Sequence, residues 1–100
     1  MVKEVRWTNE AVESFKNIIH YLEENLTKQE IENFIPATDN VVAYISKHPE
    51  MFRKTNKRNL REALVTSQNL LIYKVYKSHI DLITFWDTRQ HPRKKKKFIK

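Results

Sequence analysis

The chain has 100 residues, 40% of them hydrophobic and 31% charged, with a formal net charge of +7. That length supports one domain with one modest core, and the mixture is that of a globular protein, not of an apolar-poor disordered chain. With no cysteine there is no disulfide framework, thiolate metal site or thiol chemistry; with no glycine there is no phosphate-cradling loop or dinucleotide fingerprint, since both need backbone that only glycine permits.

The charge is concentrated. Residues 1–46 hold four Lys/Arg against eight Asp/Glu, and residues 47–100 hold fifteen against four. Arg89, Arg93, the run Lys94-Lys95-Lys96-Lys97 and Lys100 equal the whole surplus of +7, so the preceding residues are formally neutral. An acidic partner is expected. No apolar run approaches the ~18 residues of a membrane span, nothing at the N-terminus reads as an export signal, and the expected location is the cytoplasm.

Val2 to Trp7 alternates apolar and charged residues, the period of a strand with one buried face. Thr8 can cap a helix starting at Asn9. Val12, Phe15, Ile19, Leu22 and Leu26 recur at helical spacing with Ile18 widening the stripe, which predicts a helix over about 9–25. Thr27-Lys28-Gln29-Glu30 has the form of a capping box and opens a second helix with apolar positions Ile31, Phe34, Ile35, Val42 and Ile45. Pro36 removes one intrahelical bond and is expected to kink or split it. The short junction makes the two helices a hairpin.

His48-Pro49 ends the hairpin, because the residue before proline is pushed out of the α region. Residues 50–59 read as a basic loop. Three segments rich in β-branched and aromatic residues come after it, Leu60–Thr66, Leu70–Lys77 and His79–Trp86. Their short connections predict an antiparallel meander, with turns made by Asn, Asp, Ser and His in the absence of glycine. The fold class is α+β in the order β-α-α-β-β-β, a single domain over 1–92 and a basic C-terminal tail over 93–100 that is expected to be flexible. The layer rule places both helices on one sheet face. On the middle segment Leu71, Tyr73 and Val75 are expected in the core, with Ile72, Lys74 and Tyr76 on the open face, which has the character of a binding surface.

The element order, the segment Leu71-Ile72-Tyr73-Lys74-Val75 and the close Ile83-Thr84-Phe85-Trp86-Asp87-Thr88-Arg89-Gln90 resemble the RelE/ParE superfamily of toxins from bacterial type II toxin–antitoxin pairs. The resemblance runs from Val5 to about Pro92. It implies a curved antiparallel sheet on a helical hairpin and a cognate antitoxin that wraps the toxin. It also implies one of two targets: RelE-like members cut messenger RNA in the ribosomal decoding site, whereas ParE-like members poison DNA gyrase.

RNA cleavage needs a group to take the 2′-hydroxyl proton, a donor to the leaving oxygen and cations on the phosphate. In the resemblance Arg61 falls where RelE-like nucleases carry a strand lysine, and Arg89 near the arginine after their last strand. Ala63 and Leu70 stand where two further cations are expected. The late tyrosine or histidine of that branch has no clean counterpart, since Phe98 cannot donate a proton and His91 is close to Arg89; His48, His79 or His91 can supply acid–base chemistry near neutral pH.

The expected catalytic residues are Arg61, Arg89 and His91, and the expected nucleic-acid contacts are Lys57, Arg58, Lys74, Arg93, Lys94 and Lys95. Each has a plainer reading: Arg89 as the ion partner of Asp87 or of a helix acid, Arg61 as one half of a cross-strand pair, the lysine run as a solvated tail, and Trp7 and Trp86 as core. No His pair has metal-ligand spacing, so neither a metal nor a cofactor is expected. The leading expectation is a toxin that cuts ribosome-bound messenger, leaving open whether the chain is an endoribonuclease. The alternatives are a ParE-like gyrase poison and a non-toxic basic nucleic-acid-binding module. Expected partners are the antitoxin, with the ribosome and messenger or gyrase, in a homodimer or a toxin–antitoxin hetero-oligomer.

Overall fold

Trp7 ends strand β1 (Glu4–Trp7) and Thr8 starts helix α1 (Asn9–Asn25) in a computed structural model that describes residues 2–25, 28–55 and 59–89. The Thr8 hydroxyl accepts from the backbone N–H of Ala11 at 3.1 Å, an N-cap of the expected kind. The same hydroxyl donates to the carbonyls of Leu82 and Ile83 at 2.7 and 3.1 Å, so one side chain fixes both the helix start and the neighbouring strand. Helix α1 buries Ala11, Ile18 and Leu22 with Phe15 and Ile19 alongside.

Helix α2 (Lys28–Lys47) buries Phe34, Thr38 and Ile45. Pro36 does not split it. The carbonyl left without its N–H donor is that of Glu32, an exposed residue, where solvent can take the donor's place. Ile35, expected on the apolar stripe, is 43% exposed because Phe34 one step earlier takes the core direction. Thr27 of the expected capping box lies outside the described residues. The helix stops at Lys47, two residues before Pro49.

Strands β3 (Leu60–Thr66), β4 (Asn69–Val75) and β5 (His79–Asp87) form the antiparallel meander. The basic loop contains one further strand, β2 (Arg53–Lys54), which pairs with β3 and was not read from the sequence. Two residues are too few to show a period. β1 lies parallel to β5, giving the sheet order β1-β5-β4-β3-β2. The main-chain N–H of Lys3 donates to the Ser46 carbonyl at 3.1 Å, joining the start of the chain to the end of α2. Asn59, at φ 61°, takes the left-handed backbone that glycine would take elsewhere.

Both helices cover the face carrying Ala63, Val65, Leu71, Tyr73, Ile80, Leu82 and Phe85, and these close one core with Ala11, Ile18, Leu22, Phe34 and Ile45. Leu82 and Phe85 both point inward although they are three residues apart, because Ile72 pairs with Thr84 and Tyr73 with Leu82, leaving Ile83 as an extra residue. Thr8 bonds at that bulge. Past it, where β1 has ended, the Phe85 N–H is met by the Ser14 hydroxyl at 2.8 Å, so α1 takes over as the edge cover of β5.

Candidate nucleic-acid interface

No described helix packs on the other sheet face, and register arranges its side chains in rows across the strands. At the end where β5 finishes, Leu64, Leu70 and Trp86 form an apolar row. Next come Arg53, Glu62, Ile72 and Thr84. Then Leu60, Lys74, Asp81 and Arg6 line up, and beyond them Glu4 lies opposite His79 beside the β4–β5 turn. The face grades from apolar to charged over the length of the sheet. Ile72, expected to be exposed here, is 1% exposed, while Lys74 is half-buried and Tyr76 exposed. Glu62, Leu70, Thr84 and Trp86 around Ile72 are buried as well, so this end of the face is covered, and period alone does not show that.

The β4–β5 turn is tight: the Tyr76 N–H donates to the His79 carbonyl at 2.8 Å, leaving Lys77 and Ser78 at the tip. That closure stacks the Tyr76 and His79 rings, with centroids 4.7 Å apart and planes 16° apart. Lys74 Nζ lies 5.1 Å from the Tyr76 ring centre, a cation over an aromatic face. Ser78 Oγ lies 2.9 Å from His79 Nδ1, within hydrogen-bond distance, and Asp81 Oδ1 approaches Nε2 to 3.3 Å as an ion-pair contact. Lys3 Nζ donates to the Tyr76 carbonyl at 2.7 Å and pins the turn to the chain start. Of the three histidines open to acid–base work, His91 lies outside the described residues, and His48 packs against Tyr44, centroids 5.1 Å apart, at the end of α2.

Arg61 is on the helix-covered side, paired across the ladder with Tyr73. Its guanidinium donates to the carbonyls of Glu50 and Phe52 at 3.0 and 2.7 Å and so holds the segment after α2. The Tyr73 hydroxyl donates to the Pro49 carbonyl at 2.8 Å in the same place. Burial pushes that phenol up to about 12, with the Arg61 charge opposing.

Arg89 grips Asp87 through Nη2 at 2.8 Å and Nε at 3.1 Å, and its Nη1 reaches Glu30 in the first turn of α2 at 3.3 Å. Its guanidinium carbon lies 5.8 Å from the Tyr21 ring centre. Burial alone would raise the Asp87 carboxyl; bonds from the Arg89 side chain and backbone and from Asn69 outweigh it and hold the carboxyl below its usual value. The same Asp87 bond raises Arg89 further above its already high value. Both of the plainer alternatives for Arg89, Asp87 and a helix acid, are therefore present together.

Arg61 and Arg89 are not brought together. Arg61 stands opposite Tyr73 and the β5 end before Arg89 opposite Asn69, four residues apart on β4, or about 13 Å at ~3.3 Å per residue. Of the expected nucleic-acid contacts, Lys74 is on the open face; Lys57, Arg58, Arg93, Lys94 and Lys95, with His91, lie outside the described residues. The sequence reading missed Asp81 and Ser78. The signal was available, since residues two apart on a strand share a face and Tyr76 and His79 flank a two-residue turn.

Two buried polar atoms on the open face, Glu62 Oε2 and Trp86 Nε1, have no hydrogen-bond partner, although Arg53 pairs with the other oxygen of Glu62. On the helix side, Asn40, Val41, Tyr44, Met51 and Phe52 line an apolar notch of about 410 Å³. No group of three His, Cys, Asp or Glu side chains able to hold a metal occurs among the described residues, and no described helix is long and apolar enough to cross a membrane.

Residues 5–92 match the family described as ParE toxin of type II toxin–antitoxin system, parDE. The chain belongs to the ParE toxin family. The toxin's fold is also that of solved structures of low sequence identity. It is similar to a chain of the Escherichia coli DinJ–YafQ toxin–antitoxin complex, with a TM-score of 0.62, 9% identity, and 89% of this chain and 96% of that one covered. The YoeB dimer from Staphylococcus aureus gives 0.57 at 12% identity over 84% and 94%. The solution structure of HP0894 from Helicobacter pylori gives 0.57 at 15% over 89% and 97%. No curated protein matches the toxin in sequence. Membership of a type II pair gives this ParE-family toxin a cognate antitoxin as partner.

Proposed function

We propose that this toxin arrests growth by ribosome-dependent cleavage of messenger RNA, with the turn end of the open sheet face as its RNA-contacting surface. The observation that carries the reading is Lys74 poised over the Tyr76 ring on that face. A cation held beside the exposed edge of an aromatic pair suits a single-stranded ribonucleotide, whose phosphate meets the ammonium while its base or sugar packs against the Tyr76 edge. Arg6, in the same row opposite Asp81, is ion-paired to Glu4 at 3.3 Å, so the reading rests on the Lys74 charge. The likeness in fold to YafQ and YoeB agrees with this reading.

The family match favours a second reading, a gyrase poison without nuclease activity. Arg61 and Arg89, the cations expected on RNA phosphate, are engaged in holding the fold, which is consistent with it. Induced expression in bacteria, with messenger 5′ ends mapped beside an SOS reporter, separates the two. The RNA reading expects new messenger ends and a silent reporter, with the new ends abolished by Lys74→Ala with Tyr76→Ala. Growth arrest with a strong SOS response and intact messengers overturns it.

A further inference from the structure

The end of the open sheet face where β5 finishes is buried, yet no described element lies over it. Leu70 and Trp86 are 9% and 5% exposed, and Glu62, Ile72 and Thr84 in the next row are buried too. Both helices pack on the opposite face, against Leu71, Tyr73 and Phe85. A ring as large as that of Trp86 does not reach such burial on a bare sheet face, so another segment covers it.

Two atoms set the chemistry of that cover. Glu62 Oε2 is a buried acceptor without a donor, because Arg53 takes only the other oxygen, and Trp86 Nε1 is a buried donor without an acceptor. Buried polar groups in native proteins are hydrogen-bonded. The cover therefore brings a cationic donor to Glu62, an acceptor such as a main-chain carbonyl to Trp86, and apolar groups to Leu70 and to Leu64, which is 59% exposed. The Thr84 hydroxyl donates to Glu10 Oε2 at 3.3 Å, which adds a second carboxylate to the row of Glu62. An acidic segment fits such a row poorly, and a second copy of this face would bring two more carboxylates to it.

The chain itself supplies a segment of the required kind. It continues for eleven residues past Arg89, from the strand end that carries Trp86. These residues hold Arg93, Lys94-Lys95-Lys96-Lys97 and Lys100 with no acid, and the apolar pair Phe98-Ile99. Trp86 and Leu64 stand two strand spacings apart, about 10 Å, whereas eleven residues span up to roughly 36 Å.

We propose that residues 90–100 dock on this end of the sheet face, with a basic side chain on Glu62 Oε2, a main-chain carbonyl on Trp86 Nε1 and Phe98-Ile99 against Leu64 and Leu70. The cations that do not meet Glu62 then stand on the same face as Lys74. Docking of the segment does not depend on whether the target is messenger or gyrase.

The test uses the full chain carrying Trp7→Phe, which keeps a ring against Phe15 and Phe85 and leaves Trp86 as the only tryptophan. Acrylamide quenching then reads access to Trp86, and hydrogen exchange of its indole N–H reads the bond at Nε1. Phe98→Ser with Ile99→Ser should raise the quenching constant several-fold and speed the indole exchange, with the far-UV circular dichroism unchanged. Serine at all four of Lys94, Lys95, Lys96 and Lys97 should give about half of that rise, and Lys28→Ser none. Quenching and exchange in these variants equal to those of the parent protein overturn the docking. So does shielding of Trp86 that falls on dilution, which assigns the cover to a second copy, and so does a Trp86 that is open in the isolated chain and shielded only when the antitoxin is added.

Discussion

Asp87 and Arg89, two residues apart at the end of β5, close a two-bond pair in which the carboxylate is wholly buried and the guanidinium reaches on to Glu30 of α2. The Asn69 amide donates to the same carboxylate at 2.9 Å and accepts from the Thr66 hydroxyl at 2.6 Å. One network therefore ties the β3–β4 turn, the end of β5 and the helical hairpin. Removing the cation leaves a buried charge, which typically costs about 3 kcal/mol. Arg89→Ala is expected to lose about that much in urea unfolding, and Arg89→Ala with Asp87→Asn less than the sum of the two single changes, because the pair acts as a unit.

The same pair sets an acid limit. The folded Asp87 carboxyl is depressed, so its contribution is fully present above the unfolded value of about 3.9 and is lost as pH falls through the folded value. Below about pH 4 the urea midpoint of the wild type should drop more steeply than that of Asp87→Asn. Parallel curves for the two proteins would show that Asp87 contributes nothing to the acid transition.

Thr8 serves α1 as N-cap and β5 at its bulge. Thr8→Ala loses both sets of bonds, so roughly 2 kcal/mol is expected, the upper end for a cap. Thr8→Ser keeps the hydroxyl and should lose less than half of that, as read from thermal melts.

Glu62 is a buried carboxylate with one oxygen bonded to Arg53 and the other unpartnered. Glu62→Gln removes the charge while keeping an acceptor for Arg53, so stability should be unchanged or rise by up to about 1 kcal/mol. Arg53→Ala leaves the carboxylate alone and should cost on the order of 2 kcal/mol, less than in a fully buried pair because the Arg53 side chain is largely solvated. Chemical denaturation of the two variants, measured side by side, checks the opposite signs.

Much of the fold was legible in the chain. The stripe through Phe15, Ile19 and Leu22 marked α1, and the β-branched runs ended by Ser67-Gln68-Asn69 and Lys77-Ser78-His79 marked the meander, because period and turn chemistry are local properties. Ile35 and Ile72 were misplaced for one reason: their burial depends on what the neighbouring elements cover. Among site residues, Lys74 was placed on the correct face by alternation. Arg61 and Arg89, expected as ligand contacts, also have structural partners that the sequence did not specify together: the Glu50 and Phe52 carbonyls for the one, Asp87 and Glu30 for the other.

What the sequence determined by itself was the element order, the exclusion of thiol and glycine-loop chemistry, the charge gradient and the superfamily. The first three come from composition and from interactions between residues a few positions apart; the superfamily came from the resemblance carried by the element order and the segments 71–75 and 83–90. The tertiary structure decided which charges are free to act. β1 and β5 meet across some 75 residues of chain, so that Arg6 faces Asp81 and Glu4 faces His79. The bulge at Ile83 restores the inward direction of Phe85 and sets Asp81 and Thr84 on the open side. A charge far along the chain becomes a structural tie or a free contact only through such long-range register, and a one-residue shift in a ladder exchanges the two.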